Sequence, residues 1–424
     1  MTGSILKEKK ILGNFSYLSA IQGINLLVVL ATYPYLIRVL GKETFGLVVY
    51  AQAIVTYLVV LVSFGFQISA TREVSVHRSD PAKLNEIFSS VMILKGVLFL
   101  LSLLGLILVL WVTAQSREIR ILFLLTMFTC FYEFIFPSWF FQGIEKMGYT
   151  TFITLITKGS FFVLIFVFIR GQKDYLLVPL FNGVGSVLAG ILSLWIVVRR
   201  EKIRFALQPA GRLWYHFRES SILFASNLAT QVYVNANKVI VGITLGMGSV
   251  ALYDLAEKVV TALKLPQTLL NQALFPRISK ERDLQFTRRF LIWSLIGQAV
   301  LYVLIFAGSP VVVNLLGGPE MSESTALLRL LAITVPLNAI SSYLGIQYLV
   351  AHGHRKRYTL IILISVVLYA LIITALWIWG ALTVKALIGA TIATEAVVLI
   401  LMAYSRFTVL GLQFTDKPHR KHQP

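Results

Sequence analysis

Charged residues are scarce in this chain: Asp, Glu, Lys and Arg make up only 13% of its 424 residues. Soluble domains carry about 25% charged residues. Hydrophobic residues make up 57% of the chain, and its mean hydropathy is +0.79. This composition excludes an ordinary soluble domain and a disordered chain, and it predicts an integral membrane protein.

Acidic residues are scarcer than basic ones, with 19 Asp and Glu against 38 Lys and Arg and a formal net charge of +19. On a soluble chain this excess would suggest nucleic-acid binding. Here most Lys and Arg residues fall in loops on one side of the predicted membrane protein, so we expect no nucleic-acid partner. The single cysteine, Cys130, excludes a disulfide framework and a cysteine metal cluster, and we expect neither metal nor cofactor.

Long loops are missing as well. About 20 apolar residues cross a bilayer, and on that basis the sequence predicts twelve helices, at roughly 11–36, 46–70, 87–113, 119–141, 150–170, 175–198, 218–244, 249–275, 290–316, 325–350, 358–379 and 384–405. Their connections are too short to fold as separate domains.

Because no Asp-x-Asp pair and no His-Glu-x-x-His motif occurs, we do not expect an enzyme. A membrane-embedded glycosyltransferase or polymerase is the less favoured alternative.

The distribution of Lys and Arg predicts the orientation of these helices. Basic residues concentrate in the N-terminal segment, in the loops that follow the even-numbered helices, and after the last helix. Loops rich in Lys and Arg lie on the cytoplasmic side. Both termini are therefore predicted to be cytoplasmic, which agrees with an even number of crossings.

An internal repeat relates the two halves of the chain. An offset of 205 residues aligns residues 40–72 with 245–277 without a gap, and it pairs Gly41 with Gly246 and Arg72 with Arg277. We interpret this as two six-helix lobes of the same orientation, residues 1–212 and 213–424. In transporters such parallel repeats are related by an axis along the membrane normal, and the substrate path lies between them.

Predicted helix 8 is unusually polar for a membrane span. Five residues follow one another at helical spacing along one face: Glu257, Thr261, Lys264, Thr268 and Asn271. Asp254 and Lys258 lie to the side of that face. Each buried charge costs roughly 2.5–3.5 kcal/mol at the centre of a span, so the face should meet water or another polar helix. The alternative is structural ion pairing, of Asp254 with Lys258 or Lys238, or of Lys238 with Glu257.

Other polar residues join this face to form a candidate site. The predicted substrate-binding residues come from helices 1, 2, 7 and 8 and their inner ends: Gln22, Asn25, Arg72, Asn227, Gln231, Asn235, Lys238, Lys258, Lys264, Asn271 and Arg277. For the amide side chains, hydrogen bonding between helices is an equal alternative. The intramembrane acids are candidates for ion coupling, unless each simply pairs with a lysine: Asp254, Glu257, Glu133 and Glu395.

The charge of this predicted path favours one class of cargo. Counted over the polar helices and their ends, cations outnumber acids. A cationic path suits an anionic cargo such as a pyrophosphate head group or an acidic sugar. An exporter of cationic drugs would be expected to show the reverse balance, and predicted helices 1 and 2 hold no intramembrane acid.

Several stretches resemble a known family. They are YLIRVLGKETFG at 35–46, FG at 64–65 with SATR at 69–72, PSWFFQGIEKM at 137–147, YDLAEK at 253–258 and FPRIS at 275–279. In this order, with twelve predicted spans, they are similar to O-antigen-type flippases of the polysaccharide transporter family. That family belongs to a superfamily that also holds multidrug exporters and the lipid II flippase.

The resemblance implies a cargo and a mechanism. Such proteins move an undecaprenyl-pyrophosphate-linked oligosaccharide from the cytoplasmic to the outer leaflet of a bacterial inner membrane by alternating access. It implies contact with membrane lipids and with other polysaccharide-assembly membrane proteins, and it leaves open whether a proton or Na⁺ serves as counter-ion. The alternative within the superfamily is an exporter of drugs or of another lipid-linked precursor.

Overall fold

Long apolar runs must satisfy their own backbone hydrogen bonds in a membrane, which favours helices. In a computed structural model that describes residues 2–281, 284–350 and 353–415, every regular element is helical. Side chains are described between residues 20 and 405, with gaps within 226–234 and 272–288 and at 355. The predicted all-α class is therefore confirmed for this part of the chain.

Eight α-helices form the first part of the chain. They are α1 (Thr2–Ser63), α2 (Phe66–Val76), α3 (Pro81–Val112), α4 (Arg117–Thr126), α5 (Phe128–Ile135), α6 (Ser138–Gly143), α7 (Met147–Phe168) and α8 (Leu177–Arg199). A short 3₁₀ helix, Gln172–Leu176, precedes α8.

Seven α-helices follow. They are α9 (Ala210–Thr244), α10 (Met247–Glu281), α11 (Leu284–Gly317), α12 (Ser324–Leu331), α13 (Thr334–Ser342), α14 (Arg355–Ile378) and α15 (Val384–Thr415). A 3₁₀ helix, Pro319–Met321, precedes α12, and a π-helical segment, Tyr343–Val350, follows α13. Within the described residues, nine helical stretches are long and apolar enough to cross a membrane, and the first of them runs from Ala20 to Val76.

Two glycines mark the turns that the sequence predicts at the outer side. Gly41 interrupts α1 with a φ of 72° and a ψ of 163°, and Gly246 separates α9 from α10 with a φ of 89°. Residues with a side chain rarely adopt such a positive φ. The two glycines that the predicted repeat aligns therefore share a positive φ.

Three of the predicted helices are less regular than their hydropathy indicates. Helix 2 breaks at Phe64 and Gly65, where a Cβ on Gly65 would lie 2.9 Å from the Leu223 Cβ. Helix 4 is divided into α4, α5 and α6, and its second break falls at Phe136, whose extended backbone precedes Pro137. Helix 10 is divided into α12, α13 and the π-helical segment. Hydropathy reports only burial in lipid, so it does not register these breaks.

The chain divides into two compact units. The first runs from the N-terminus to Asp254 and includes Leu315–Met321, and the second consists of Leu255–Asn314 and the chain from Ser322 onward. In the first unit Trp139, Phe140 and Phe141 are fully buried, and the rings of Trp139 and Phe140 pack against Phe88 on α3. The predicted boundary near residue 212 concerns the sequence repeat and stays a prediction.

The second unit has a core of its own. It is built from the π-helical segment, α14 and α15, and its buried side chains include Tyr343, Tyr348, Leu349, Ile361 and Met402. A Cβ on Gly345 would lie 2.6 Å from the ring of Tyr358, so this glycine lets α14 approach the segment closely.

Candidate functional site

A buried ion pair lies near the predicted outer end of the first unit. The ammonium nitrogen of Lys238 lies 3.0 Å from Oδ1 of Asp254, and the two side chains are 8% and 1% exposed. The hydroxyl of Tyr33 donates a 2.8 Å hydrogen bond to Oδ2 of the same carboxylate. Both carboxylate oxygens therefore have a partner, which offsets the cost of burying the charge.

Close helix contacts bring these groups together. A Cβ on Gly46 would lie 1.8 Å from the carbonyl oxygen of Met247, and a Cβ on Gly242 would lie 2.2 Å from the ring of Tyr50. Both approaches are possible only because these positions lack a side chain. These contacts hold the start of α10 and the end of α9 against the part of α1 that follows Gly41. Asp254 is thereby placed next to Lys238.

One of the ion pairs that the sequence left open is present in the structure. Lys238 pairs with Asp254. Sequence reasoning did not single out Tyr33, although Tyr33 follows Gln22 by eleven residues and so shares its helical face. It also missed Asn237, whose side-chain amide donates a 2.9 Å hydrogen bond to the Tyr253 hydroxyl.

The predicted polar face of α9 is partly occupied by its own hydrogen bonds. The Asn235 amide donates a 2.9 Å hydrogen bond to Oε1 of Gln231, one turn earlier on the same face. Asn227 is half-buried. On α1, Gln22 and Asn25 are also half-buried, and Oε1 of Gln22 accepts no hydrogen bond from the described residues.

A second ion pair of the first unit joins α3 to α5. The ammonium of Lys95 on α3 donates a 2.8 Å hydrogen bond to Oε1 of Glu133 on α5, and Lys95 is 1% exposed. Glu133, an ion-coupling candidate from the sequence, therefore neutralises a buried lysine. Because Lys95 is buried in this ion pair, its ammonium does not reach the surface of the first unit.

The second unit contains a hydrogen-bonded network around Asn271. The Gln267 amide donates a 3.0 Å hydrogen bond to Oδ1 of Asn271. The Gln347 amide donates a 3.2 Å hydrogen bond to the Asn271 carbonyl oxygen. The Ser294 hydroxyl donates to Oε1 of Gln267. Asn271 is buried, so in this structure it joins α10, α11 and the π-helical segment by hydrogen bonds between helices.

The charges of the second unit gather around Lys264. This half-buried lysine interacts electrostatically with Glu395 on α15 and with Glu257 on α10. Two of the ion-coupling candidates thus share one cation. Lys258 is half-buried on the same helix.

The two repeat-related arginines are only partly described. Arg72 is exposed near the end of α2, whereas the side chain of Arg277 lies outside the described residues. Among the described residues, no three or more His, Cys, Asp and Glu side chains gather as a metal site would require.

A cluster that sequence reasoning missed lies at the predicted inner end of the first unit. The amide of Gln67 donates a 2.9 Å hydrogen bond to Oε1 of Gln142. The hydroxyl of Ser138 donates a 2.9 Å hydrogen bond to Oε1 of Gln67. Gln67 continues the polar spacing of predicted helix 2, since it follows Thr56 by eleven residues and Ser63 by four. That spacing is the signal that could have revealed it.

The buried charges and amide networks indicate a class of membrane protein. The chain is a multi-pass membrane protein whose spans carry buried, mutually compensated charges and amide networks. Intramembrane ionisable residues of this kind are typical of transport proteins.

Comparison with known proteins assigns the family. Residues 11–282 match the family described as "Polysaccharide biosynthesis protein", and the chain belongs to that family. It is 28% identical to a protein of Escherichia coli (strain K12) named "Putative O-antigen transporter" over 402 residues, which cover 92% of this chain and 95% of the relative. A relative of the same name from Shigella dysenteriae is 27% identical and covers 84% of this chain and 91% of its own length.

Solved structures show the same fold at low sequence identity. The lipid II flippase MurJ in an inward closed conformation matches with a TM-score of 0.72 at 14% identity, over 93% of this chain and 87% of MurJ. An inward-facing multidrug resistance MATE family transporter of the MOP superfamily matches with a TM-score of 0.69 at 13% identity, over 92% and 99%. The family resemblance in the sequence is confirmed, and the chain is a multi-pass inner-membrane protein related to transporters.

Proposed function

We propose that this chain is a flippase that moves an undecaprenyl-pyrophosphate-linked oligosaccharide, an O-antigen repeat unit or one like it, from the cytoplasmic to the outer leaflet by alternating access. The observation that carries the proposal is similarity along nearly the whole chain to proteins named as O-antigen transporters. The fold, which this chain shares with a lipid II flippase, supports it. Both the pyrophosphate and the sugars are polar, so they need a polar path through the bilayer.

The proposed topology has twelve crossings and cytoplasmic termini. The first apolar stretch, Ala20–Val76, is divided at Gly41 and supplies two crossings. The remaining apolar stretches supply one each, and the more polar helices α9 and α10 supply two more. The shared positive φ of Gly41 and Gly246 supports the two lobes related by a parallel repeat, residues 1–212 and 213–424.

The charges suggest how the head group is recognised. Lys238 and Lys95 are buried and are neutralised by Asp254 and Glu133, so we assign them to stability rather than to pyrophosphate binding. The cations proposed to attract the pyrophosphate are Arg72, Lys258, Lys264 and Arg277. The amides proposed to meet the sugars are those of Gln22, Asn25, Asn227, Gln231 and Asn235, while the polyprenyl chain stays in lipid.

Ion coupling is proposed at Lys264. Asp254 and Glu133 already neutralise lysines of the first unit, whereas Glu257 and Glu395 both interact with Lys264. Binding of a proton or Na⁺ at these two acids would release Lys264 to hold the anionic cargo. Membrane lipids and other polysaccharide-assembly membrane proteins are proposed as further partners.

A multidrug exporter is the second candidate, because MATE transporters share the fold. That similarity lies at 12–14% identity and concerns the fold alone. In the described side chains of α1 the acid present is Glu43, which lies at the Gly41 turn and is 70% exposed. The first two predicted spans thus offer no buried carboxylate for a cationic drug, which favours the oligosaccharide.

Deletion of the gene tests the proposal. We expect the lipid-linked oligosaccharide to accumulate on the cytoplasmic leaflet and the surface polysaccharide to disappear, and both should return when the gene is supplied on a plasmid. Mass spectrometry of extracted lipids identifies the intermediate. Normal surface polysaccharide together with a new sensitivity to cationic drugs would favour the multidrug exporter instead.

A further inference from the structure

The amide cluster at the predicted inner end of α2 is not explained by the ion pairs or by the pyrophosphate cations. Gln67 on α2 and Gln142 on α6 are both exposed, and Ser138 is half-buried. The three side chains form a chain of two hydrogen bonds, each 2.9 Å long, from Ser138 to Gln67 and from Gln67 to Gln142.

The backbone beneath this cluster is held firmly. A Cβ on Gly143 would lie 2.5 Å from Cγ1 of Val74, so α6 packs on α2 without space between them. The Thr71 hydroxyl donates a 3.1 Å hydrogen bond to the carbonyl oxygen of Trp139, and Trp139 is fully buried. The amides are therefore presented from two rigid helices, as a preorganised binding site requires.

The cluster has hydrogen-bonding capacity left over. A glutamine amide has two N–H donors and an oxygen that accepts two hydrogen bonds. The bonds among described residues use one N–H of Gln67 and none of Gln142. If this surface faced lipid, the other three N–H groups of the two glutamines would have no hydrogen-bond acceptor. Positions that face hydrocarbon do not tolerate such unpaired groups. This surface therefore faces water or a polar ligand.

The cluster is also neutral. The charged residues nearest in sequence are Arg72 and Glu73 on α2 and Glu145 just after α6, and Glu145 forms a 2.8 Å salt bridge with Arg78. A pyrophosphate would be held by cations. Sugar hydroxyls donate and accept at once, and an amide matches them because its N–H and oxygen lie side by side in one plane.

We propose that Gln67, Gln142 and Ser138 form a binding subsite for the sugar hydroxyl groups of the cargo at the cytoplasmic end of the first unit. The two glutamines contact the sugar, and Ser138 is a positioning residue that orients the Gln67 amide. This proposal rests on the proposed function, because it assigns the carbohydrate part of that cargo to a site.

The test compares two probes on the purified protein in phosphatidylethanolamine–phosphatidylglycerol nanodiscs. One probe is the oligosaccharide released by mild acid from the lipid-linked intermediate of the deletion strain, and the other is inorganic pyrophosphate. We expect Gln67→Ala and Gln142→Ala each to weaken oligosaccharide binding about tenfold, the effect of losing a paired hydrogen bond. Pyrophosphate binding should stay unchanged, and Ser138→Ala should have a smaller effect on the oligosaccharide than either glutamine variant.

The matched control is Gln172→Ala, because Gln172 is an exposed glutamine at the opposite predicted end of the helices. It should bind both probes as the wild type does. If one glutamine variant unfolds, the other carries the test. Wild-type oligosaccharide affinity in both variants would overturn the subsite, and so would equal weakening of both probes. A wild-type protein that binds neither probe would instead contradict the proposed function.

Discussion

Removal of one partner from the buried Lys238–Asp254 pair should destabilise the first unit strongly. Lys238 is 8% exposed and Asp254 is 1% exposed, so Lys238→Met removes the ammonium that lies 3.0 Å from Oδ1 of a buried carboxylate. An uncompensated buried charge of this kind costs about 3–5 kcal/mol of unfolding free energy. Tyr33→Phe removes one hydrogen bond to a charged group and should cost about 1.5–3 kcal/mol.

The double variant makes this prediction specific. Lys238→Met combined with Asp254→Asn removes both charges, so it should lose less stability than either single change, and a double-mutant cycle should give a large favourable coupling energy. Stability is measured by denaturant unfolding of the purified protein in mixed micelles. The control pair is Lys42 and Glu43, which are 3.9 Å apart and 33% and 70% exposed. Exposed pairs contribute about 0–1 kcal/mol, and an equally small coupling at Lys238 and Asp254 would refute the reasoning.

Three further predictions concern packing, the second ion pair and transport. Gly46→Ala should destabilise the protein far more than Gly105→Ala in thermal unfolding, because a Cβ at Gly46 would lie 1.8 Å from a carbonyl oxygen and one at Gly105 meets nothing within 4 Å; equal melting temperatures would contradict this. Lys95→Met should destabilise by about 3–5 kcal/mol and should be largely rescued by adding Glu133→Gln; a double variant no better than the single would count against a compensated pair. Lys264→Glu should abolish surface polysaccharide at normal protein abundance; normal polysaccharide in that variant would exclude Lys264 from the path.

Much of the fold follows from hydropathy because lipid imposes a simple rule on the chain. Each long apolar run must form a helix. Gly41 and Gly246 lie between predicted helices and indicated where the chain turns. The breaks at Gly65 and in helix 10 depend instead on what packs against the backbone, such as Leu223 beside Gly65. Those contacts lie far apart in sequence, so a single helical pattern does not contain them.

The sequence singled out Lys238 and Asp254 as charged residues within the predicted spans, but it left their pairing open. Three pairings agreed with the sequence: Asp254 with Lys258, Asp254 with Lys238, and Lys238 with Glu257. The choice of Lys238 with Asp254 depends on how closely Gly46 and Gly242 let the helices approach. Glu133 presents the same problem, because its partner Lys95 belongs to another helix whose rotation the sequence pattern does not define.

The central claim is that the protein moves a lipid-linked oligosaccharide across the bilayer, and transbilayer movement in proteoliposomes tests it most directly. The lipid-linked intermediate from the deletion strain is reconstituted in both leaflets with the purified protein, and an external enzyme that cleaves its sugar reports the accessible fraction. With the protein present, we predict that cleavage proceeds past the outer-leaflet pool to near completion. Cleavage that stops at about half in protein-containing vesicles, as it does in protein-free ones, would contradict the claim.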